Sequence, residues 1–198
     1  MNLKSFSPLV TNSILFSILL IFLRIDLVFS DSLPTGGDMG AHVVPTKFFV
    51  SELFSNFKIS GWSNDWFAGY PAYYFYFPLP PTIVAVLSPI FSFGIAFKIM
   101  VVASLVLLVF SIQKLVSNEN INSLYFGFTA GLLFLLTESF TIFGGNLASS
   151  LAGQYSFTYS LAFGNLSIYL LTKSNLKNSL YYSSLCISFC VLSHIIPF

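Results

Sequence analysis

Apolar residues run along this chain in long blocks separated by short polar breaks. The first block covers residues 8–29, with Lys4 ahead of it and Arg24 and Asp26 near its far end. Further blocks cover residues 95–116, 124–143, 156–171 and 180–198. Blocks of this length approach the roughly 20 apolar residues that carry a helix across a bilayer. The pattern predicts an all-α, multi-pass transmembrane helical bundle. Residues 82–93, which follow Pro78, Pro80 and Pro81, are also apolar but too few to span simply. They read as a re-entrant or interfacial segment.

A cleaved signal peptide is the rival reading of the first block, with Lys4 as its basic start and Val28-Phe29-Ser30 as the cleavage site. Arg24 and Asp26 sit badly just before such a site, which favours an uncleaved span. Either reading sends the next segment away from the cytoplasm.

Residues 31–81 break the pattern. They hold Asp31, Asp38, Lys47, Glu52, Lys58 and Asp65, together with both tryptophans, Trp62 and Trp66. Within them Phe49, Val50, Leu53, Phe54 and Phe57 recur at helical spacing, which predicts an amphipathic helix over residues 43–57 lying in the membrane interface. Pro45 fits only in the first turn of such a helix. With the N terminus inside and residues 82–93 not crossing, Lys4, Lys114, Lys173 and Lys177 fall on the cytoplasmic side against Glu119 alone. Loop 31–81, the turn 144–155 and His194 then lie outside.

Composition agrees with that picture. The chain is 56% hydrophobic and 8% charged, whereas soluble domains carry about 25% charged residues. A net charge of +1 gives no argument for nucleic acid. Cys186 and Cys190 share a helix face and read as apolar packing residues, with no disulfide framework and no metal-ligand spacing. Asn165-Leu166-Ser167 matches a glycosylation acceptor but lies inside a span. The apolar pattern is still running at Phe198, so residues 1–198 read as the N-terminal fragment of one membrane domain.

Four places are able to carry chemistry. The first is Gly36-Gly37-Asp38-Met39-Gly40-Ala41-His42, where an acid and a histidine four apart share a face if the stretch is helical. A carboxylate beside an imidazole suits general-base work or a divalent metal ion; the plainer alternative makes Asp38 a helix N-cap. The second is the aromatic run holding Trp62, Asp65, Trp66, Tyr70 and Tyr73. It suits an interfacial belt, and also stacking against sugar rings. The third is the turn from Gly144 through Gln154 and Tyr155, which either lines a cavity or simply connects two spans, with Glu138 near the end of the preceding span. The fourth is His194, placed to cap a cavity.

In their order and spacing, Asp38 and His42, the amphipathic helix, Trp66-Phe67-Ala68-Gly69-Tyr70-Pro71 and Tyr76-Phe77-Pro78-Leu79 resemble the GT-C class of membrane glycosyltransferases. More narrowly, together with Gly153-Gln154-Tyr155-Ser156-Phe157, they resemble the prokaryotic membrane family labelled 6-pyruvoyl-tetrahydropterin synthase-related. No zinc-ligand set of the soluble pterin synthase occurs in this chain. The resemblance implies an integral protein of a prokaryotic plasma membrane that transfers sugar from a polyprenyl-phosphate donor to an extracytoplasmic acceptor. It implies Asp38 as the base, with His42 orienting the acceptor or binding donor phosphate or a metal ion. It also implies an acid where Gln154 stands, and glutamine cannot act as a base. The alternative from the span pattern is a non-enzymatic transporter or a component of lipid or polysaccharide export.

Overall fold

The structure, a computed structural model, describes residues 8–117, 121–137, 144–172 and 177–196. Lys4, Glu119, Glu138, Lys173 and residues 138–143 of the block 124–143 lie outside the described residues. The fold is mainly helical, with α1 (Pro8–Phe22), α2 (Ile25–Val28), α3 (Met39–Phe48), α4 (Leu79–Leu87), α5 (Phe93–Val116), α6 (Ile121–Leu135), α7 (Leu147–Ser149), α8 (Tyr155–Thr172) and α9 (Ser179–Ser193).

The long helix α5 is the axis. At 24 residues and about 1.5 Å per residue, it is the one helix among the described residues long and apolar enough to cross a bilayer. Helices α6 and α8 pack on α5, and α9 packs on α8. Close approach of α6 needs glycine. A Cβ at Gly127 would lie 2.9 Å from the Gln113 carbonyl oxygen, and one at Gly131 would lie 3.0 Å from Val109. Two glycines four apart let helix backbones meet, as small residues do between helices in membranes.

Polar side chains tie the same helices together. Gln113 Nε2 donates to Asn12 Oδ1 at 2.9 Å, and Tyr159 Oη donates to the Met100 carbonyl at 2.7 Å. Ser160 Oγ donates to the His194 carbonyl, and Ser167 and Ser183 hydroxyls meet, each at 2.7 Å. These pairs also fix direction. Met100 and Ser111 of α5 meet Tyr159 and Asn165 of α8, so the two run parallel. Gly127 and Gly131 of α6 meet α5 in reverse order, and α9 reverses α8. Lys114 and Lys177 therefore sit at one end of the bundle. Residues 31–92, the turn 144–155 and His194 gather at the other.

Several sequence expectations change here. The first block is not one helix: Arg24, at φ 52, separates α1 from α2. Its Nε and Nη2 donate to Asp26 Oδ1 and Oδ2 at 2.9 and 2.8 Å, closing the break. The interfacial helix starts four residues before its expected position, at Met39, and continues through a π-helical turn (Phe49–Leu53) and a 3-10 turn (Phe54–Asn56). Pro45 therefore lies beyond the first turn and leaves the Ala41 carbonyl without its i+4 donor.

Residues 61–72 contain an antiparallel hairpin, β1 (Gly61–Ser63) and β2 (Tyr70–Ala72), that the helical reading did not expect. Trp62 pairs with Pro71 in the register. Pro71 is tolerated because a two-stranded ribbon consists of edges. The segment 82–93 holds the last six residues of the nine-residue α4, a turn, and the first residue of α5; α4 is about 14 Å long. Helix α9 ends at Ser193, and His194 is extended with its carbonyl held by Ser160, short of the expected Phe198.

The core places the outer segments firmly. Met39 and Val43 of α3, Val84 of α4 and Tyr155 and Tyr159 of α8 close on Phe97, Met100 and Val101 of α5. A second cluster joins Leu15 and Leu19 to Leu105, Val109, Phe128 and Leu135.

Candidate functional site

Two segments far apart in sequence build the site. Gly36 and Gly37 take φ 104 and 51 and bring the backbone against the turn 147–154. A Cβ on Gly37 would sit 2.5 Å from the Ala152 carbonyl oxygen. That same carbonyl accepts from the Asp38 N–H at 2.7 Å. Gly153, at φ 121, lies on the other side of the joint, and a Cβ there would be 3.0 Å from His42 Cδ2 and 3.1 Å from Asp38 Cβ. The acid–histidine segment and the glycine-rich turn, read separately in the sequence, are one structure.

Asp38 stands at the N-cap position of α3, but its carboxylate makes no capping hydrogen bond. The side chain is exposed and bonds to no described residue. The plainer reading of Asp38, as a helix cap, loses its main support. His42 follows one turn later and is half-buried. Burial lowers its pKa below the ordinary 6.5, and the nearby Asp38 charge offsets part of that effect. The ring is neutral at pH 7. Its Nδ1 lies 3.2 Å from Tyr76 Oη, and its ring packs edge-to-face with Tyr155 at 5.3 Å between centroids.

His42 opens into a cavity of about 410 Å³. Its walls include Thr46, Trp66, Tyr70, Tyr73, Tyr76 and Tyr155. Trp66 and Tyr70 stack, with centroids 5.6 Å apart at 29°. Burial raises the pKa of the Tyr73 and Tyr76 phenols, so both keep their protons. The buried Tyr70 hydroxyl lies beside Ser63, whose own proton goes to Asp65 Oδ2 at 2.8 Å. The phenol oxygen is enclosed by protein, so Tyr70 meets the cavity through its ring.

A second cavity, of about 470 Å³, lies on the other side of the same segment. Pro34, Thr35 and Met39 border it while Ala41 and His42 border the first, so the chain segment that carries Asp38 contributes to both cavities although Asp38 itself lines neither. Its walls are aliphatic, from Leu27, Leu105, Leu147 and Leu151 among others, and it carries Arg24 and Lys98. Lys98 Nζ donates to the Leu27 carbonyl at 3.1 Å and to Ser30 Oγ at 2.9 Å. No carboxylate among the described residues forms an ion pair with it.

The remaining residues singled out from sequence lie apart. Trp62 is exposed on the hairpin, with its indole nitrogen against Gly69. Asp65 is held in the hairpin turn by Ser63. Gln154 is half-buried, and its carbonyl and Cβ crowd Gly144. His194 stands behind the aromatic wall, 4.5 Å from the Phe77 ring, and its Nδ1 accepts from the Ile196 N–H. Among the described residues no three His, Cys, Asp or Glu side chains come together, so Asp38 and His42 would give a metal ion two donors from this group. Lys98 was not singled out by sequence reasoning, and Tyr76 entered only through the Tyr76-Phe77-Pro78-Leu79 stretch; a lysine inside an apolar block was the signal for the first.

Comparison of the chain with family models, with curated proteins and with solved structures finds no match.

Proposed function

We propose that this chain is a multi-pass membrane protein and carries the extracytoplasmic site of a GT-C-like glycosyltransferase. In this reading it moves a sugar from a polyprenyl-phosphate donor to an acceptor hydroxyl. The observation that carries the reading is the uncapped, exposed Asp38 carboxylate in a segment whose neighbouring residues line two unlike cavities. The aliphatic cavity suits a prenyl chain, with Lys98 and Arg24 to meet its phosphate. The aromatic cavity suits the acceptor. Asp38 takes the proton from the acceptor hydroxyl as its oxygen attacks the anomeric carbon. The bond from that carbon to the phosphate oxygen breaks, and prenyl phosphate leaves. His42 and Tyr76 orient the acceptor.

Support for the membrane comes from side chains that face outward. Leu9, Ile14, Ile18 and Ile21 of α1, Phe126 and Leu133 of α6, and Leu180 and Leu192 of α9 are all exposed. A bilayer would cover them. Lys114 and Lys177 at the end away from the site favour a cytoplasmic placement of that end, with the N terminus inside.

The test is transfer in proteoliposomes from polyprenyl-phosphate sugars. Asp38→Asn lowers it at least about 100-fold, the smaller end of general-base effects, while insertion stays normal. Full activity in that variant overturns the assignment. Passage of substrate across the bilayer without chemical change would favour the export reading.

A further inference from the structure

We propose that the aromatic cavity admits an uncharged glycosyl group and turns away acidic ones. Calling that group the acceptor rests on the transferase reading; its binding does not.

None of the described residues lining this cavity is Asp, Glu, Lys or Arg. His42 is neutral at pH 7, and the Tyr73 and Tyr76 phenols hold their protons. An anionic ligand entering here would lose its water and find no counter-charge on the described walls. A carboxylate would also meet Asp38, which is close enough to both His42 and Tyr76 to act on them electrostatically. The neighbouring aliphatic cavity, which has Lys98 among its lining residues, suits an anion better.

What the aromatic cavity offers is a pairing of ring faces with hydroxyls. The Trp66–Tyr70 stack presents π surface, while Tyr73, Tyr76 and Thr46 bring hydroxyl-bearing side chains to the same walls. A pyranose uses both features, since its C–H faces are weakly apolar and its rim is hydroxylated. A hydrocarbon chain would leave the hydroxyls idle. A quaternary ammonium ion would use the rings alone. The volume, about 410 Å³, falls within the range of about 300–1,000 Å³ usual for small-molecule sites.

Trp66 lines the cavity and Trp62 does not, so a Trp62→Phe protein in detergent micelles has one reporter at the site. The probes are the methyl glycosides of glucose, galactose and mannose, with methyl glucuronide and methyl galacturonide as acidic counterparts. We expect at least one neutral glycoside to saturate the Trp66 fluorescence change and to bind at least tenfold tighter than either acidic probe. Adding Tyr76→Phe weakens that binding three- to tenfold. Adding Asp38→Asn leaves it within threefold and tightens the glucuronide. The proposal is overturned if either acidic probe binds as tightly as the best neutral glycoside, or if no neutral glycoside saturates the signal. The two readings fail separately. Neutral binding with transfer that survives Asp38→Asn removes only the transferase. Transfer that needs Asp38, alongside preferred binding of glucuronide, removes only this inference.

Discussion

The two cavities beside Asp38 differ in one respect that matters more than their similar size. One is walled by leucines and carries Arg24 and Lys98; the other is walled by aromatic rings and hydroxyls and bears no formal charge among its described residues. The segment 34–42 contributes residues to both. The difference teaches that one short segment borders two environments, one aliphatic and one aromatic and hydroxylated. Asp38 is the exposed acid of that segment.

The harshest way to break this comparison is to move the joint that holds the segment. Gly153→Val puts a β-branched side chain at φ 121 and a Cβ 3.0 Å from His42. Backbone strain of this kind costs roughly 1–3 kcal/mol. Thermal unfolding in detergent is expected to shift downward by the corresponding amount, with transfer lost. Unchanged stability would mean that the turn 150–154 does not brace the segment.

A gentler change probes one cavity at a time. Lys98→Gln keeps donors for the Leu27 and Ser30 oxygens and removes the charge. A hydrogen bond to a charged group is worth about 1.5–3 kcal/mol, so KM for the prenyl-phosphate donor is expected to rise roughly tenfold or more, with acceptor KM unmoved. An equal rise in both would show that Lys98 only holds the loop. Tyr76→Phe is the mirror experiment. It removes the hydroxyl 3.2 Å from His42 Nδ1, at about 1 kcal/mol, and should raise acceptor KM roughly fivefold with donor KM unchanged.

The smallest effect is in pH. His42 has a lowered pKa in the folded chain, so between that value and the ordinary 6.5 the unfolded chain binds a proton that the folded chain does not. Stability therefore rises with pH through that window and levels off above it. His42→Gln should flatten this part of the stability curve. A wild-type slope of opposite sign would contradict the burial of the imidazole.

Much of the scaffold was legible before the structure. The apolar blocks marked α5 and α8 closely, because an uninterrupted apolar run has few other ways to fold. The break at Arg24 was not legible, since it depends on a left-handed residue and a local ion pair inside an apolar run. The hairpin at 61–72 was hidden because three-residue strands have no readable period. At the site, the four-residue spacing of Asp38 and His42 was enough to place them on one helix face. Sequence could not show that Gly37 and Gly153 lock that face against the turn 150–154, more than a hundred residues on. Nor could it separate Trp66, which lines the cavity, from Trp62 and Asp65, which shape the hairpin. Those outcomes belong to tertiary packing, in which Phe97 and Tyr155 gather the outer segments.

The most direct test compares transfer and binding in one variant. For Asp38→Asn in proteoliposomes, the account predicts donor and acceptor binding within a few-fold of wild type and transfer reduced at least about 100-fold. Transfer at the wild-type rate, with both ligands still bound, would contradict it.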